Sequence, residues 1–139
     1  MTAGDPQAEL LATIIQGVDA ALSVIDEIET ELLDCSTGLR VNPSVETFTA
    51  LSAGVNNLGD FVSLMQEIRK GFTNLHNSPV PPEAVAVFAK SVDQFREMEA
   101  AMERNDWISL ADLIQYEIAP IIEESKKELF SIKERLEQK

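Results

Sequence analysis

With 139 residues, 24 acids against 11 bases and a formal net charge of −13, the chain fits one domain over residues 1–139, large enough to bury a core without disulfide or metal staples. A hydrophobic content of 45% argues against disorder, while a mean hydropathy of −0.04 and no apolar run approaching about 18 residues argue against a membrane protein. The charge opposes nucleic acid and anionic lipid, so a charged partner is expected to be a protein with a basic surface. Residues 1–7 lack the basic flank and apolar centre of a secretory signal, which makes the cytoplasm the expected compartment, and the single Cys35 allows no internal disulfide.

A first helix is expected over 6–36. Asp5 suits the N-cap, Pro6 the first helical position, and Gly38 can supply a left-handed stop. Leu11, Val18, Ile25 and Leu32 recur every seven residues, interleaved with Ile14, Ala21, Ile28 and Cys35, which is the seam of a helical bundle. A second helix is expected over 43–75, capped at Asn42 or Ser44, with a stripe of Phe48, Leu51, Val55, Leu58, Val62, Met65, Phe72 and Leu75. Arg69, Lys70 and Gly71 read as an alternative, earlier stop, and Gly54 as a packing glycine.

Pro79, Pro81 and Pro82 mark a central break, after which Val85, Phe88, Val92, Phe95 and Met102 give a third helix over 82–104. Asn105 turns the chain and Asp106 caps a fourth helix over 107–137, striped by Trp107, Ala111, Ile114, Ile118, Ile121, Leu129, Ile132 and Leu136. Pro120 lies inside this last helix and cannot bond the Tyr116 carbonyl, so a kink is expected there. Short connections favour antiparallel neighbours, and β-branched residues occur at helical rather than alternating spacing. The expected fold is therefore an all-α, antiparallel up-down-up-down four-helix bundle. Ile25, Ile28, Leu58, Val62, Phe88, Phe95, Ile114 and Ile118 should share one core. Two hairpins that open and pair with a second chain satisfy the same pattern, so a homodimer stays open.

Little in the chain suits catalysis. Bundles that hold two metal ions use Glu-x-x-His pairs, whereas the only histidine, His76, follows Thr73 at that spacing. A phosphoacceptor histidine would sit exposed in mid-helix; His76 adjoins a helix end and reads as a solvated or capping side chain. Cys35 falls on the seam and reads as a small hydrophobe, and Met65, Met98 and Met102 fit helix faces. The scattered glycines form no phosphate loop. Lys126, Lys127, Lys133, Arg135 and Lys139 are interspersed with acids, as on a solvated helix face, and not clustered as a phosphate-binding patch would be. No catalytic, cofactor-binding or metal-binding residue is assigned.

Charge and exposed apolar residues point instead to a partner. Residues 1–39 hold eight acids and no base. Glu27, Glu31 and Asp34, near the expected end of the first helix, oppose its dipole and should approach Glu103, Asp106 and Asp112, while the opposite end gathers Arg69, Lys70, Lys126, Lys127, Lys133 and Arg135. On the fourth helix, Leu113 and Tyr116 fall outside the core stripe beside Asp112 and Glu117; they either cover a neighbouring helix or meet a second surface. The candidate partner-binding set is Asp112, Leu113, Tyr116, Glu117, Glu27, Glu31 and Asp34, with tyrosine as the anchor and the acids steering a basic surface toward it.

Residues 106–120, Asp-Trp-Ile-Ser-Leu-Ala-Asp-Leu-Ile-Gln-Tyr-Glu-Ile-Ala-Pro, resemble a stretch of small uncharacterised bacterial helical-bundle proteins with the pattern Leu-Ala-Asp-Leu-Leu-x-Tyr-Glu-Leu-x-Pro. The segment departs only by Ile for Leu, and the resemblance implies a bacterial helical protein without implying any catalysis. The expected function is a non-enzymatic protein-interaction module, such as an adaptor, small chaperone or regulatory bundle. The alternatives are an assembly subunit that self-associates through helix 4, and a ligand-binding or catalytic bundle whose pocket opens at the Pro120 kink.

Overall fold

The computed structural model describes residues 5–76 and 92–137. Among them the chain is helical and forms no strand: α1 spans Pro6–Val41, α2 Val45–Asn74 and α3 Val92–Glu103. A fourth helical rod consists of α4 (Trp107–Leu113), a π-helical turn (Ile114–Ile118) and α5 (Ala119–Glu137). The expected proline break at 79–82, and the first ten residues of the expected third helix with Val85 and Phe88, lie outside the described residues.

The helix starts follow from local side chains. Asp5 Oδ1 accepts the Gln7 N–H at 3.1 Å and Pro6 takes the first helical position. Ser44 Oγ accepts the Thr47 N–H at 3.2 Å, and Asp106 Oδ1 the Ser109 N–H at 3.2 Å, each satisfying a donor the helix leaves open. Asn105 adopts φ 55° in the tight turn before Asp106, a conformation asparagine tolerates.

The ends differ from expectation at two glycines. α1 runs through Gly38 to Val41, five residues beyond the expected end at 36, and stops where Asn42 N–H bonds the Gly38 carbonyl at 2.9 Å ahead of Pro43. The residue before a proline disfavours the helical region, so Pro43 sets the stop. Gly38 gives room instead, since a Cβ there would lie 3.0 Å from Thr47 Cγ2. Gly71 likewise does not end α2; it is buried against Ile14, where an added Cβ would come within 2.7 Å of Cγ1.

Contacts fix how the helices meet. Gly17 of α1 faces Leu64 and Ile68 of α2, while Gly54 of α2 faces Leu32 of α1, so the start of one helix lies by the end of the other. Along its other flank α1 meets the fourth rod: Ser36 Oγ donates to the Ala111 carbonyl at 2.9 Å, Lys126 pairs with Asp26 at 2.5 Å and Lys133 with Asp19 at 3.1 Å. α3 packs against α4 and the π turn. At the far end, Gln7 Oε1 accepts the His76 N–H at 2.7 Å, tying the start of α1 to the end of α2; the His76 side chain is exposed.

One core joins these elements. In α1, Ile14, Val18, Ala21, Ile25, Ile28, Leu32, Cys35 and Leu39 are buried, alternating steps of four and three residues. In α2 the central line is Leu51, Gly54, Leu58, Phe61, Met65, Ile68 and Phe72. Phe61 and Ile68, absent from the expected stripe, therefore carry its centre, while Val55 and Val62 are half-buried flanks. Of the expected common core, Ile25, Ile28, Leu58, Ile114 and Ile118 are fully buried, Val62 and Phe95 pack against them, and Phe88 is outside the described residues.

The fourth rod breaks the alternation. Its buried line runs Ala111, Ile114, Ile118, Ile122, Ser125, Leu129, Ile132 and Leu136, with two successive steps of four at Ile118. One residue too many for the repeat is absorbed where the ladder widens and Ala119 N–H bonds the Ile114 carbonyl five residues back. Pro120, which has no N–H to offer Tyr116, follows immediately.

α1 also bears on the search for apolar runs. By length and composition it is apolar enough to cross a membrane, with a mean hydropathy of 1.6 over 18 residues. The stretch escapes a search for uninterrupted apolar runs because isolated polar residues divide it.

Glycine substitutions test this packing. Gly59 has nothing within 4 Å of an added Cβ, so Gly59→Ala should stabilise by about 0.5–1 kcal/mol through helix propensity alone. Gly71→Ala gains the same propensity but must displace Ile14, and overpacking of about 1–3 kcal/mol should outweigh it. Urea midpoints of the two variants should move in opposite directions.

Candidate functional site

One polar cluster on the surface is built on the π turn. Ile114 and Ile118 point inward and are fully buried, which leaves Gln115, Tyr116 and Glu117 as three consecutive exposed residues. Arg40, in the last turn of α1, reaches across them. Its Nη2 bonds Asp112 Oδ1 at 2.6 Å and Gln115 Oε1 at 3.0 Å, and its guanidinium carbon lies 5.8 Å from the centre of the Tyr116 ring. A cation at a helix C-terminus is favoured by the dipole, and over a ring face by the π charge distribution. Tyr116 nonetheless stays 65% exposed.

The expected partner set does not form one surface. Asp112 and Tyr116 share the Arg40 cluster and Glu117 lies exposed beside them, but Leu113 is buried in the core. The rod is apolar on two sides because α1 packs on one and α3 on another, so Leu113 covers a neighbouring helix. Glu31 accepts a 3.0 Å bond from Asn57 Nδ2 of α2 and Glu27 lines the same α1–α2 groove, while Asp34 is exposed. With α1 extended to Val41, these three acids lie more than one turn from its end. The dipole argument for a misplaced acidic pole therefore falls away, because the effect decays within the last turn.

Arg40 is the residue the sequence reading missed. Ending the first helix at 36 placed it in a loop, whereas an arginine two residues before Asn42-Pro43 is a last-turn base ahead of a proline stop.

The remaining titratable groups follow from their surroundings. Burial pushes the Cys35 thiol up, reinforced by Glu31 and Asp34, so it is held as an unreactive thiol. Hydrogen bonding from Ser109 holds the Asp106 carboxyl low, and Asp26 and Asp19 raise the ammonium groups of Lys126 and Lys133. Among the described residues no group of three or more His, Cys, Asp or Glu side chains is arranged to hold a metal ion.

An all-helical chain with its ordered polar cluster on a helix exterior presents an outward surface. The chain belongs to the family described as Domain of unknown function (DUF8042), which matches residues 18–128, from within α1 to within α5. No curated protein and no solved structure matches it.

Glu29 supplies a pH test of the α1–α5 contact. Burial raises its carboxyl above the ordinary range, as do the Glu123 carboxylate hydrogen-bonded to it and nearby Asp26, with Lys126 opposing. The folded chain therefore holds this proton more tightly than the unfolded chain, and stability falls as pH rises from the ordinary to the raised value. Glu29→Gln should raise the melting temperature at pH 7, and the gain should vanish below about pH 4, where Glu29 is protonated in both states.

Proposed function

We propose that this chain is a non-enzymatic protein-interaction module, an up-down-up-down bundle whose fourth helix bends at Pro120 and presents Tyr116 to a protein partner. The pairing of early α1 with late α2, and of late α1 with the start of α4, supports the alternating topology. The widened turn directly before Pro120 supports the bend.

The observation that carries the reading is an aromatic ring 65% exposed yet held by a guanidinium, on a helix whose inner face is locked in the core. Tyrosine is a favoured interface anchor, and a ring ordered beforehand loses little freedom on docking. Glu117 beside it, together with the net charge of −13, favours a basic partner surface. The polar groups near the ring are already bonded to one another, which suits a contact surface better than a reacting site. The cytoplasm is the compartment in which we place it.

A second reading has its own support. Phe130 on α5 is 49% exposed, which favours self-association of an assembly subunit through the fourth helix.

Affinity capture from the source cell, followed by binding kinetics with the captured protein, tests the first reading. Tyr116→Ala should mainly raise the dissociation rate, whereas neutralising Glu31 and Asp34 should mainly slow association and flatten its salt dependence. Unchanged kinetics in both variants would reject it, and a concentration-dependent dimer disrupted by Phe130→Ser would favour the second.

A further inference from the structure

Resting on the reading of the chain as an interaction module, we propose that the groove between α1 and α2 docks a basic amphipathic helix of a partner protein. Two adjoining depressions, of about 430 and 320 Å³, share Leu64 and so form one groove. It follows α1 from Leu10 to Glu31, about 31 Å at the helical rise, which matches a bound helix of roughly 20 residues.

The floor is apolar, with Ile14, Ile28, Phe61 and Leu64 beneath the more exposed Val24. Val24 is the large apolar side chain that this face of α1 leaves exposed, and Leu64 is only partly buried beside it. The rim is acidic. Glu27 and Glu31 stand on the α1 side, Asp60 and Glu67 on the α2 side, and Lys70 lies toward the Asn74 end.

Charge decides the occupant. On the opposite flank of α1, Asp19 and Asp26 are each neutralised by a lysine of α5. On the groove flank, Glu27, Asp60 and Glu67 form no ion pair among the described residues, and Glu31 is bonded only by the neutral Asn57. Apolar floor and uncompensated anionic rim together call for a helix with an apolar stripe flanked by lysine or arginine, the helix-in-groove mode of recognition. A second copy of this chain would bring its own acids to the contact, with a net charge of −13 on each side.

The test uses the full chain and a labelled Leu/Lys amphipathic peptide of about 18 residues, beside its Leu/Glu counterpart and a scrambled Leu/Lys peptide without an apolar face. The expected result is saturable one-to-one binding of the first alone, with amide shifts at Val24, Asn57 and Leu64. Affinity should fall about tenfold or more in Val24→Arg and in Glu27→Gln/Asp60→Asn, both surface changes whose folding is checked by circular dichroism. Equal binding of the scrambled peptide, undiminished binding by both variants, or a dimer abolished by Val24→Arg would overturn the groove assignment.

A captured natural partner separates the two proposals. Sensitivity to Tyr116→Ala but not to Val24→Arg would reject the groove and leave the module reading standing. Sensitivity to Val24→Arg would support the groove, and insensitivity to both variants would reject the two together.

Discussion

A single long helix has to be buried along two flanks at once, and the rest of the structure follows from how its neighbours meet it. α1 keeps a strict alternation of four- and three-residue steps from Ile14 to Leu39, so its buried line stays on one side all along that stretch. α2 answers with the same alternation from Leu51 to Phe72. The fourth rod does not. Its extra residue would rotate everything after Ile118 out of the core, and the π turn restores the register at the cost of one widened ladder step. Ile122, Leu129, Ile132 and Leu136 can then face α1 as Ile114 does, and Gln115, Tyr116 and Glu117 are all pushed outward together.

The close approach of α1 to the fourth rod rests on small side chains. Ser36 and Ala111 are both buried, and the serine hydroxyl donates to the alanine carbonyl, so the polar group is satisfied without a bulky partner. Ser125, also fully buried on the rod, has no hydrogen-bond partner for its Oγ among the described residues.

Helix existence and the α1 seam were legible in the sequence because apolar spacing and caps agree at Asp5, Ser44 and Asp106. The stops were less so, since a glycine has two uses. Gly38 and Gly71 match the pattern of a left-handed stop, but which use applies depends on whether another helix lies against them, and Thr47 and Ile14 are distant in sequence. For Leu113 the sequence leaves two uses open, covering a neighbouring helix or meeting a second surface, and its burial on a rod packed by both α1 and α3 fits the first. At Pro120 the sequence leads to the expectation of a kink, and the structure places a π-helical turn over Ile114–Ile118 just ahead of it. The stripe read from the sequence admits both Ile121 and Ile122 after Ile118, and only the structure selects Ile122, whose burial gives the doubled four-residue step that the wider turn accommodates. The candidate site suffered most, because locating Arg40 at Asp112 requires the true end of α1.

The Arg40 cluster contributes little to folding. Its ion pair is exposed on both sides, and such pairs yield about 0–1 kcal/mol, with an exposed cation–π contact adding about 0.5–1 kcal/mol. These contributions are small beside the several kcal/mol at stake when a buried aliphatic is truncated. Their effect is instead geometric, restricting the rotation of a large amphipathic ring that water would otherwise leave free. A side chain ordered in advance avoids about 0.5–1.5 kcal/mol of immobilisation cost when something docks on it. The same contacts therefore bear more on how the ring is presented at the surface than on the stability of the fold.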